Sequence, residues 1–288
     1  MKKILLFLFS PQILALSAQD SLLWKPTKII ALPQMYQQIE ADPEENIYVV
    51  DSKKNKITKL FADTNYDSVY TIGGMSGRQE GFLHITQLCS KNRQTIYVLD
   101  DAARRISLLN TNLKVTGGIS FLTQEGEEAD ILPTSFDVNG AGELFVLNAL
   151  NNKIYKFNSN GKEITHFGGQ DYGEGSLFNP IQIAISDNNE IYVLDTSKHE
   201  IKVFDMYGIF LEKINLGKNM DNSKNISLFA EDLIVQQNEQ VILLHIPTQK
   251  FLFLTIPVFL QQYTDIAITK MGVYLLLENK IFNYKLTW

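Results

Sequence analysis

The chain has 288 residues, 45% of them hydrophobic and 11% aromatic, so a single closed all-β domain can bury a large core within this length. It carries 32 acidic and 26 basic residues, and the resulting charge of -6 argues against a nucleic-acid partner. Cys89 is the only cysteine, which excludes an intrachain disulfide and favours a buried, inert thiol over a reactive one.

The first segment has the features of a secretory signal. Met1, Lys2 and Lys3 precede a short apolar run that starts at Ile4, and small residues follow that run at Ser17 and Ala18. We expect residues 1–18 to be removed and residues 19–288 to form one domain. No later run reaches the roughly 18 apolar residues that a membrane helix needs, and no Cys follows the signal to accept a lipid. The expected location is therefore periplasmic or secreted.

An internal repeat dominates the rest of the chain. One strand pattern occurs in four clear copies and two weaker ones: Ile47–Asp51, Ile96–Asp100, Leu144–Asn148, Ile191–Asp195, Val241–His245 and Val273–Leu277. Each copy is followed by a second apolar strand and preceded by an inner strand whose first apolar residue is Ile39, Leu88, Phe136, Ile183, Leu233 or Ile266. Short strands in units of about 40–50 residues predict an all-β, six-bladed β-propeller.

The stretch from Phe167 to Phe204 resembles an NHL repeat. It includes Phe-Gly-Gly-Gln-Asp-Tyr-Gly-Glu, then Leu-Phe-Asn-Pro-Ile-Gln-Ile-Ala-Ile, then Ile-Tyr-Val-Leu-Asp. The resemblance extends over nearly the whole mature chain and weakens in the last two units. Arg105 occupies the position where the family usually has Arg, whereas Glu200 departs from that pattern. The resemblance implies six blades of the NHL type.

The last unit supplies only three strands before the chain reaches Trp288. The segment from Lys28 to Leu32 lies ahead of the first complete unit and has the apolar character of a strand. We expect it to complete the last blade and so join the two ends of the ring. Such pairing removes an exposed strand edge, whose free backbone groups would favour aggregation.

Two repeated columns contain polar residues. Asp51, Asp100, Asn148 and Asp195 end the repeated strand, where their side chains are expected to bind backbone N–H groups of the following turn, and His245 occupies this column in the fifth unit. A second column directly precedes the inner strand's apolar residue and consists of Gln38, Gln87, Ser135, Gln182, Asp232 and Asp265. Inner strands surround the axis, so this column predicts a polar ring at the channel mouth, which is either simply solvated or a ligand site.

Related NHL-like enzymes hold zinc or calcium near this ring. Only His84 lies close to the start of an inner strand, so the three converging ligands of a zinc site are not available. Calcium stays an alternative, with oxygen donors at Glu231 and at ring residues Gln38, Gln182, Asp232 and Asp265. No nucleophile elbow or phosphate loop is present, and we assign no catalytic residue, metal or cofactor.

Long, mostly acidic loops between the units are the candidate partner-binding surface, although they can also serve solubility alone. Glu125, Glu127 and Glu128 form an acidic run, and Phe121, Tyr172 and Met220 are candidate anchors. We expect an exported, non-catalytic β-propeller, monomeric outside its complex, that binds a basic protein partner, for example in a cell-envelope or outer-membrane assembly. The alternative is an NHL-like hydrolase or lyase that uses a divalent cation at the channel mouth.

Overall fold

The protein is an all-β, six-bladed propeller, as the repeat predicts. A computed structural model describes residues 26–74, 81–92, 94–122, 131–215, 223–237, 240–255 and 263–285. Its strands form six antiparallel sheets of four strands each. The predicted signal segment 1–18 lies outside the described residues.

The strands follow one another from the axis outward in each of the first five blades. The first blade contains β2 (Gln38–Ala41), β3 (Ile47–Asp51), β4 (Lys56–Leu60) and β5 (Val69–Gly73). The second contains β6 (Ile85–Cys89), β7 (Thr95–Asp100), β8 (Arg105–Asn110) and β9 (Val115–Ser120). The third contains β10 (Pro133–Val138), β11 (Leu144–Asn148), β12 (Lys153–Phe157) and β13 (Glu163–Gly168). The fourth contains β14 (Pro180–Ile185), β15 (Ile191–Asp195), β16 (Glu200–Phe204) and β17 (Phe210–Asn215). The fifth contains β18 (Asn225–Phe229), β19 (Asp232–Gln236), β20 (Gln240–His245) and β21 (Lys250–Thr255).

The sixth blade closes the ring. It contains β22 (Asp265–Thr269), β23 (Gly272–Leu277), β24 (Lys280–Tyr284) and, as its outermost strand, β1 (Lys28–Ala31). Ile30 of β1 lies opposite Ile281 of β24, and the backbone N–H of Thr27 donates to Asn283 O at 2.8 Å. The predicted pairing of the N-terminal strand with the last blade is confirmed.

The core lies between neighbouring blades, which cover both faces of most strands. A strand covered on both faces can be apolar at every position. Strand β15 illustrates this arrangement. Tyr192 and Leu194 belong to the apolar cluster shared with the fifth blade, whereas Ile191 and Val193 belong to the cluster shared with the third. Side chains alternate along a strand, so the continuous apolar run Ile-Tyr-Val-Leu supplies both interfaces.

The fifth blade departs from the predicted register. Its inner strand is β18, so Leu233 lies on the second strand, and Val241 and His245 lie on the third. Strands β19 and β20 are both short apolar runs, and the pattern along the sequence cannot tell which of them is second. Asp232 therefore lies away from the inner strand, and Asn225 occupies the position expected for it. His245 likewise leaves the column of turn residues.

Connections alternate between the two sides of the ring, which defines a long-loop face and a short-turn face. The long-loop face carries the connections between blades and the turns that follow the second strands. Backbone hydrogen bonds join these two kinds of segment: Gly74 N donates to Asn55 O at 2.8 Å, and Gly169 N donates to Asn152 O at 3.0 Å. The short-turn face carries the turns that follow the inner strands. Described helix is limited to 3-10 turns at Ala62–Thr64, Gly173–Gly175 and Ile246–Thr248, and none of it could cross a membrane.

Candidate functional site

The polar column of the inner strands joins five of the six blades to the next blade by hydrogen bonds. The Gln87 side chain accepts from Phe136 N at 3.0 Å and donates to Phe136 O at 2.8 Å. Ser135 Oγ accepts from Ile183 N at 3.2 Å in the same way. An inner strand has one edge without a neighbouring strand, so its backbone groups need other partners. The preceding blade supplies these partners.

Similar hydrogen bonds bridge the other four junctions. Gln182 Oε1 accepts from Ile226 N at 3.3 Å, Asp265 Oδ2 accepts from Ile39 N at 3.0 Å, and Gln38 Nε2 donates to Ile85 O at 3.4 Å. Between the fifth and sixth blades, Gln236 Nε2 donates to Ile266 O at 3.2 Å. Gln38, Gln87, Ser135, Gln182 and Asp265 thus lie at the axis as expected, and their polar atoms are used to join blades.

Asp232 does not take part in this ring. It lies on β19, and its Oδ1 is 2.9 Å from His245 Nδ1. The oxygen donors considered for calcium therefore do not converge as expected. Within the described residues, no group of three or more His, Cys, Asp and Glu side chains could hold a metal ion.

A cavity of about 740 Å³ follows the axis. The inner strands form its wall, and it reaches the short turns at Asp42, Asp187, Ala230 and Lys270. This volume lies within the range of roughly 300–1,000 Å³ that is usual for small-molecule sites. The lining also includes Gln37, Lys224 and Thr264, which directly precede inner strands, so the cavity extends along the whole length of these strands.

The cavity wall has chemically different halves. Two residues beyond the polar column, the first three blades carry Glu40, Cys89 and Asp137, whereas the last three carry Ala184, Ser227 and Ala267. The sequence analysis did not select Glu40 or Asp137, although side-chain alternation places them on the same face of their strands as Gln38 and Ser135. That spacing of two residues was the available signal.

Asp137 is neutralised by its surroundings. Its Oδ2 forms an ion pair with Lys91 Nζ and accepts from Ile185 N at 2.7 Å, while its Oδ1 accepts from Val138 N at 2.8 Å. Asp137 raises the pKa of Lys91 against the opposing effect of burial. Burial also raises the pKa of the Cys89 thiol well above its usual value, as expected for an inert cysteine.

Glu40 and Asp265 are the two acids in the cavity wall whose protonation is most altered. Desolvation raises the pKa of Glu40 to about 7, although its Oε1 accepts from Ser90 N at 3.3 Å and Ser90 Oγ at 3.2 Å. Desolvation raises the pKa of Asp265 to about 6, opposed by hydrogen bonds from Ile39 N and Ile266 N. Both residues line the cavity and are partly buried as whole residues.

The long-loop face exposes large apolar side chains near the positions predicted as anchors. Phe121 is buried and packs its ring 5.5 Å from that of Phe157, so it cannot act as a surface anchor. Its neighbour Leu122 is 60% exposed. Tyr172 is 41% exposed, although its ring lies 6.4 Å from that of Phe204 and its hydroxyl donates to Gly208 O at 3.1 Å.

Other exposed apolar side chains on this face are distributed around the ring: Met35, Leu83, Leu150 and Phe178. A surface groove of about 420 Å³ passes beside Leu150 and Tyr172. The remaining predicted partner-binding residues, Glu125, Glu127, Glu128 and Met220, lie outside the described residues. Leu83 and Phe178 occupy equivalent positions, since their backbone N–H groups donate to Asp100 Oδ2 and Asp195 Oδ2, and this repeat in the loops was the signal that the sequence analysis missed.

None of the four histidines lines the axial cavity. His84 Nδ1 lies 2.7 Å from Asp101 Oδ1 on the long-loop face, and His166 Nδ1 lies 3.1 Å from Glu163 Oε1 on an outer strand. His245 pairs with Asp232 on the fifth blade. Among the described residues, the ionisable groups that line the cavity are therefore carboxyl groups, the Cys89 thiol and the lysines Lys91, Lys224 and Lys270.

Comparison with known proteins identifies the same class of fold. The profile of the family DUF5128, described as a 6-bladed beta-propeller, matches residues 136–252, from the third blade to the fifth. A comparison with curated proteins gave no significant match.

Solved structures resemble most of the chain at low sequence identity. A streptogramin B lyase gives a TM-score of 0.60 and 16% identity, with 90% of this chain and 85% of that one covered. A catalytically inactive histidine-to-alanine variant of virginiamycin B lyase from Staphylococcus aureus, solved with quinupristin, gives 0.61 and 12% over 90% and 87%. PorZ, an essential surface component of the type-IX secretion system of Porphyromonas gingivalis, gives 0.56 and 9% over 90% of this chain and 39% of PorZ. Such identities establish the fold and leave the function open.

Proposed function

We propose that this protein is an exported, non-catalytic interaction module that binds a protein partner through its long-loop face. The observation that supports the proposal most is the set of exposed apolar side chains on that face, with Leu83 at 60% and Leu150 at 58% exposure. Leucines this exposed lower the free energy of a complex when a partner covers them. The polar loops around them supply the rim typical of such interfaces.

The proposed setting is the periplasm or the cell surface, within an envelope or outer-membrane assembly. The signal-like residues 1–18 support export, and the fold shared with PorZ, a surface component of a secretion system, is compatible with this setting. The acidic run at Glu125, Glu127 and Glu128 favours a basic partner surface, with association that slows as salt rises.

Matched surface substitutions test the proposal. The variant Leu83→Ser with Leu150→Ser changes the long-loop face, and the control Ile209→Ser with Met271→Ser changes two side chains on the short-turn face that are 61% and 58% exposed. We expect the first variant to lose at least tenfold in co-purification of its envelope partner, and the control to retain it. Loss only in the control would place binding on the other face, and retention in both would contradict the proposal.

Charge reversal in the acidic loops is a second, independent test of partner binding. Replacing Glu125, Glu127 and Glu128 with Lys should weaken co-purification and reduce its dependence on salt, since complementary charges act mainly on association. The matched change on the short-turn face replaces Asp42, Glu44 and Glu45. Asp42 is buried and accepts a hydrogen bond from Tyr48, so folding of this control is verified by circular dichroism first.

A hydrolase or lyase acting in the axial cavity is the second candidate, and Glu40 is the observation that favours it. A carboxyl group with a pKa of about 7 suits proton transfer near neutral pH. Among the cavity-lining residues there is no histidine to assist it. Turnover by the purified protein that disappears in Glu40→Gln would support this candidate over the interaction module.

A further inference from the structure

The outermost strand of the first blade, β5, has an edge that is open to pairing. Among the described strands, β5 is hydrogen-bonded only to β4. Gly74 N donates to Asn55 O at 2.8 Å and Phe61 N donates to Ser68 O at 3.2 Å. Hydrogen-bonded pairs alternate with non-bonded pairs along an antiparallel ladder, so these two pairs fix which residues face β4. The residues that direct their backbone N–H and C=O toward the free edge are therefore Val69, Thr71 and Gly73.

The other five outer strands carry features that discourage pairing at an edge. Natural proteins protect such edges with charged side chains, Pro residues or β-bulges. Strands β9, β13 and β17 each have a register shift in their pairing with the neighbouring strand, and β21 and β1 begin with Lys250 and Lys28. By contrast, β5 pairs with β4 without a shift over Val69–Gly73 and contains neither a charged residue nor Pro. Among the described outer strands, its edge is therefore the least protected.

The side chains at the start of β5 are also uncovered. Val69 is 56% exposed and Tyr70 is 47% exposed, although successive side chains of a strand point to opposite faces. The next residue, Thr71, is exposed as well. β-Branched and aromatic residues such as these favour strand pairing. A strand added at this edge would gain backbone hydrogen bonds and would cover apolar side chains on both faces.

Opposite charges lie at the two ends of β5. Asp63 and Asp67 are exposed in the segment that leads into the strand. At the other end the Lys56 side chain lies beside Gly74, where an added Cβ would come 3.4 Å from Lys56 Cε. An added strand that runs antiparallel to β5 therefore fits best with an acidic N-terminal end and a basic C-terminal end. Antiparallel pairing is also slightly more stable per residue than parallel pairing.

We propose that β5 binds an extended segment of a protein partner, which pairs antiparallel to Val69–Gly73 as a fifth strand of the first blade. The segment carries β-branched and aromatic residues between an acidic N-terminal residue and a basic C-terminal residue. This mode of binding rests on the proposed function only in that the partner is a protein. The edge lies on the rim of the ring and is tested by peptide binding, so its failure is distinct from a failure of co-purification through the long-loop face.

Fluorescence anisotropy with a labelled peptide tests the edge. The probe is acetyl-Glu-Thr-Val-Thr-Tyr-Thr-Lys-amide with a fluorophore, into which the mature protein is titrated at low salt. We expect saturable binding of one peptide per chain. The same peptide with N-methylated core amides should not bind, because it cannot complete the backbone ladder. A peptide with the two charged ends exchanged should bind about threefold more weakly, as expected for exposed charges.

Two matched variants locate the site. Val69→Lys places a charge on the edge and should weaken peptide binding at least tenfold. Ile29→Lys makes the same change on the outer strand of the sixth blade, where Ile29 is 53% exposed, and should leave binding unchanged. Circular dichroism verifies that both variants are folded, and the N-methylated peptide tests backbone pairing on the unmodified protein.

Several results would overturn the assignment. They are absence of binding, equal binding of the N-methylated or the charge-exchanged peptide, binding that Val69→Lys leaves intact, and an equal loss in Ile29→Lys. Analytical ultracentrifugation tests the other occupant of the edge. A wild-type dimer that Val69→Lys dissociates would assign the edge to a second copy of this chain and would contradict the partner segment.

Discussion

The closing strand β1 should control the stability of the whole ring through one face. Ile30 is 6% exposed and packs with Ile281 and Leu276, whereas its neighbour Ile29 is 53% exposed. Ile30→Ala removes buried methyl groups and leaves a cavity, which typically lowers the free energy of unfolding by about 2–4 kcal/mol. Ile29→Ala, the matched control, should change it by less than about 0.5 kcal/mol.

Deleting residues 19–32 extends the same test from one side chain to the strand. The deletion removes β1, the hydrogen bonds that Thr27 N and Leu32 N donate to Asn283 O and Asn279 O, and the buried side chain of Leu32. It also leaves β24 as an unpaired edge. We expect the truncated protein to aggregate or to lose its cooperative transition, while Ile30→Ala keeps a cooperative transition at lower urea concentration.

Urea denaturation followed by circular dichroism measures all three proteins. The reasoning fails if Ile29→Ala and Ile30→Ala shift the midpoint equally, because the alternation of β1 would then not decide its packing. It also fails if the truncated protein is monomeric and unfolds in the wild-type transition. Such a result would mean that the sixth blade does not need its outermost strand.

Two further predictions concern the inner strands. Gln87→Leu leaves the backbone N–H and C=O of Phe136 without their side-chain partner and should lower the free energy of unfolding by about 1–3 kcal/mol. The control is Gln170→Leu on an exposed loop, which should leave the free energy of unfolding unchanged. Equal urea midpoints for the two variants would refute this role of Gln87. The raised pKa of Glu40, about 7, means that the folded state holds its proton more tightly than the unfolded state, so this contribution to stability is complete below about pH 4.5 and is lost as pH rises through 7. Glu40→Gln should therefore match wild type at pH 4.5 and exceed it by about 1–3 kcal/mol at pH 8, and urea curves at both pH values check the sign.

The fold could be predicted because the blades repeat a simple physical pattern. Runs such as Ile191–Asp195 are apolar on both faces, as expected of a strand covered by a blade on each side. The repeat also identified β1 by counting strands. The fifth blade was the exception, because β18 lacks the clear signature of the other inner strands and a two-residue turn at Ala230 and Glu231 separates it from β19.

The chemistry of the site was less accessible from sequence. The column that contains Gln87 and Gln182 was found, but whether such amides meet water, a ligand or a neighbouring backbone depends on contacts between blades that are about 45 residues apart in sequence. Phe121 shows a similar limit. Phe121 is buried, whereas the next residue, Leu122, is exposed. In a loop, unlike in a strand, the sequence does not indicate which of two neighbouring apolar residues faces the core.

The use of the polar column to join blades restricts where this protein can bind anything else. A ligand that took the amide of Gln87 or the hydroxyl of Ser135 would leave the edge of the next inner strand unpaired, and that cost would weaken its own binding. Binding chemistry is therefore expected where no blade junction is disturbed. The loops of the long-loop face are such a place, because the exposed side chains of Leu83 and Leu150 take no part in the junctions between inner strands.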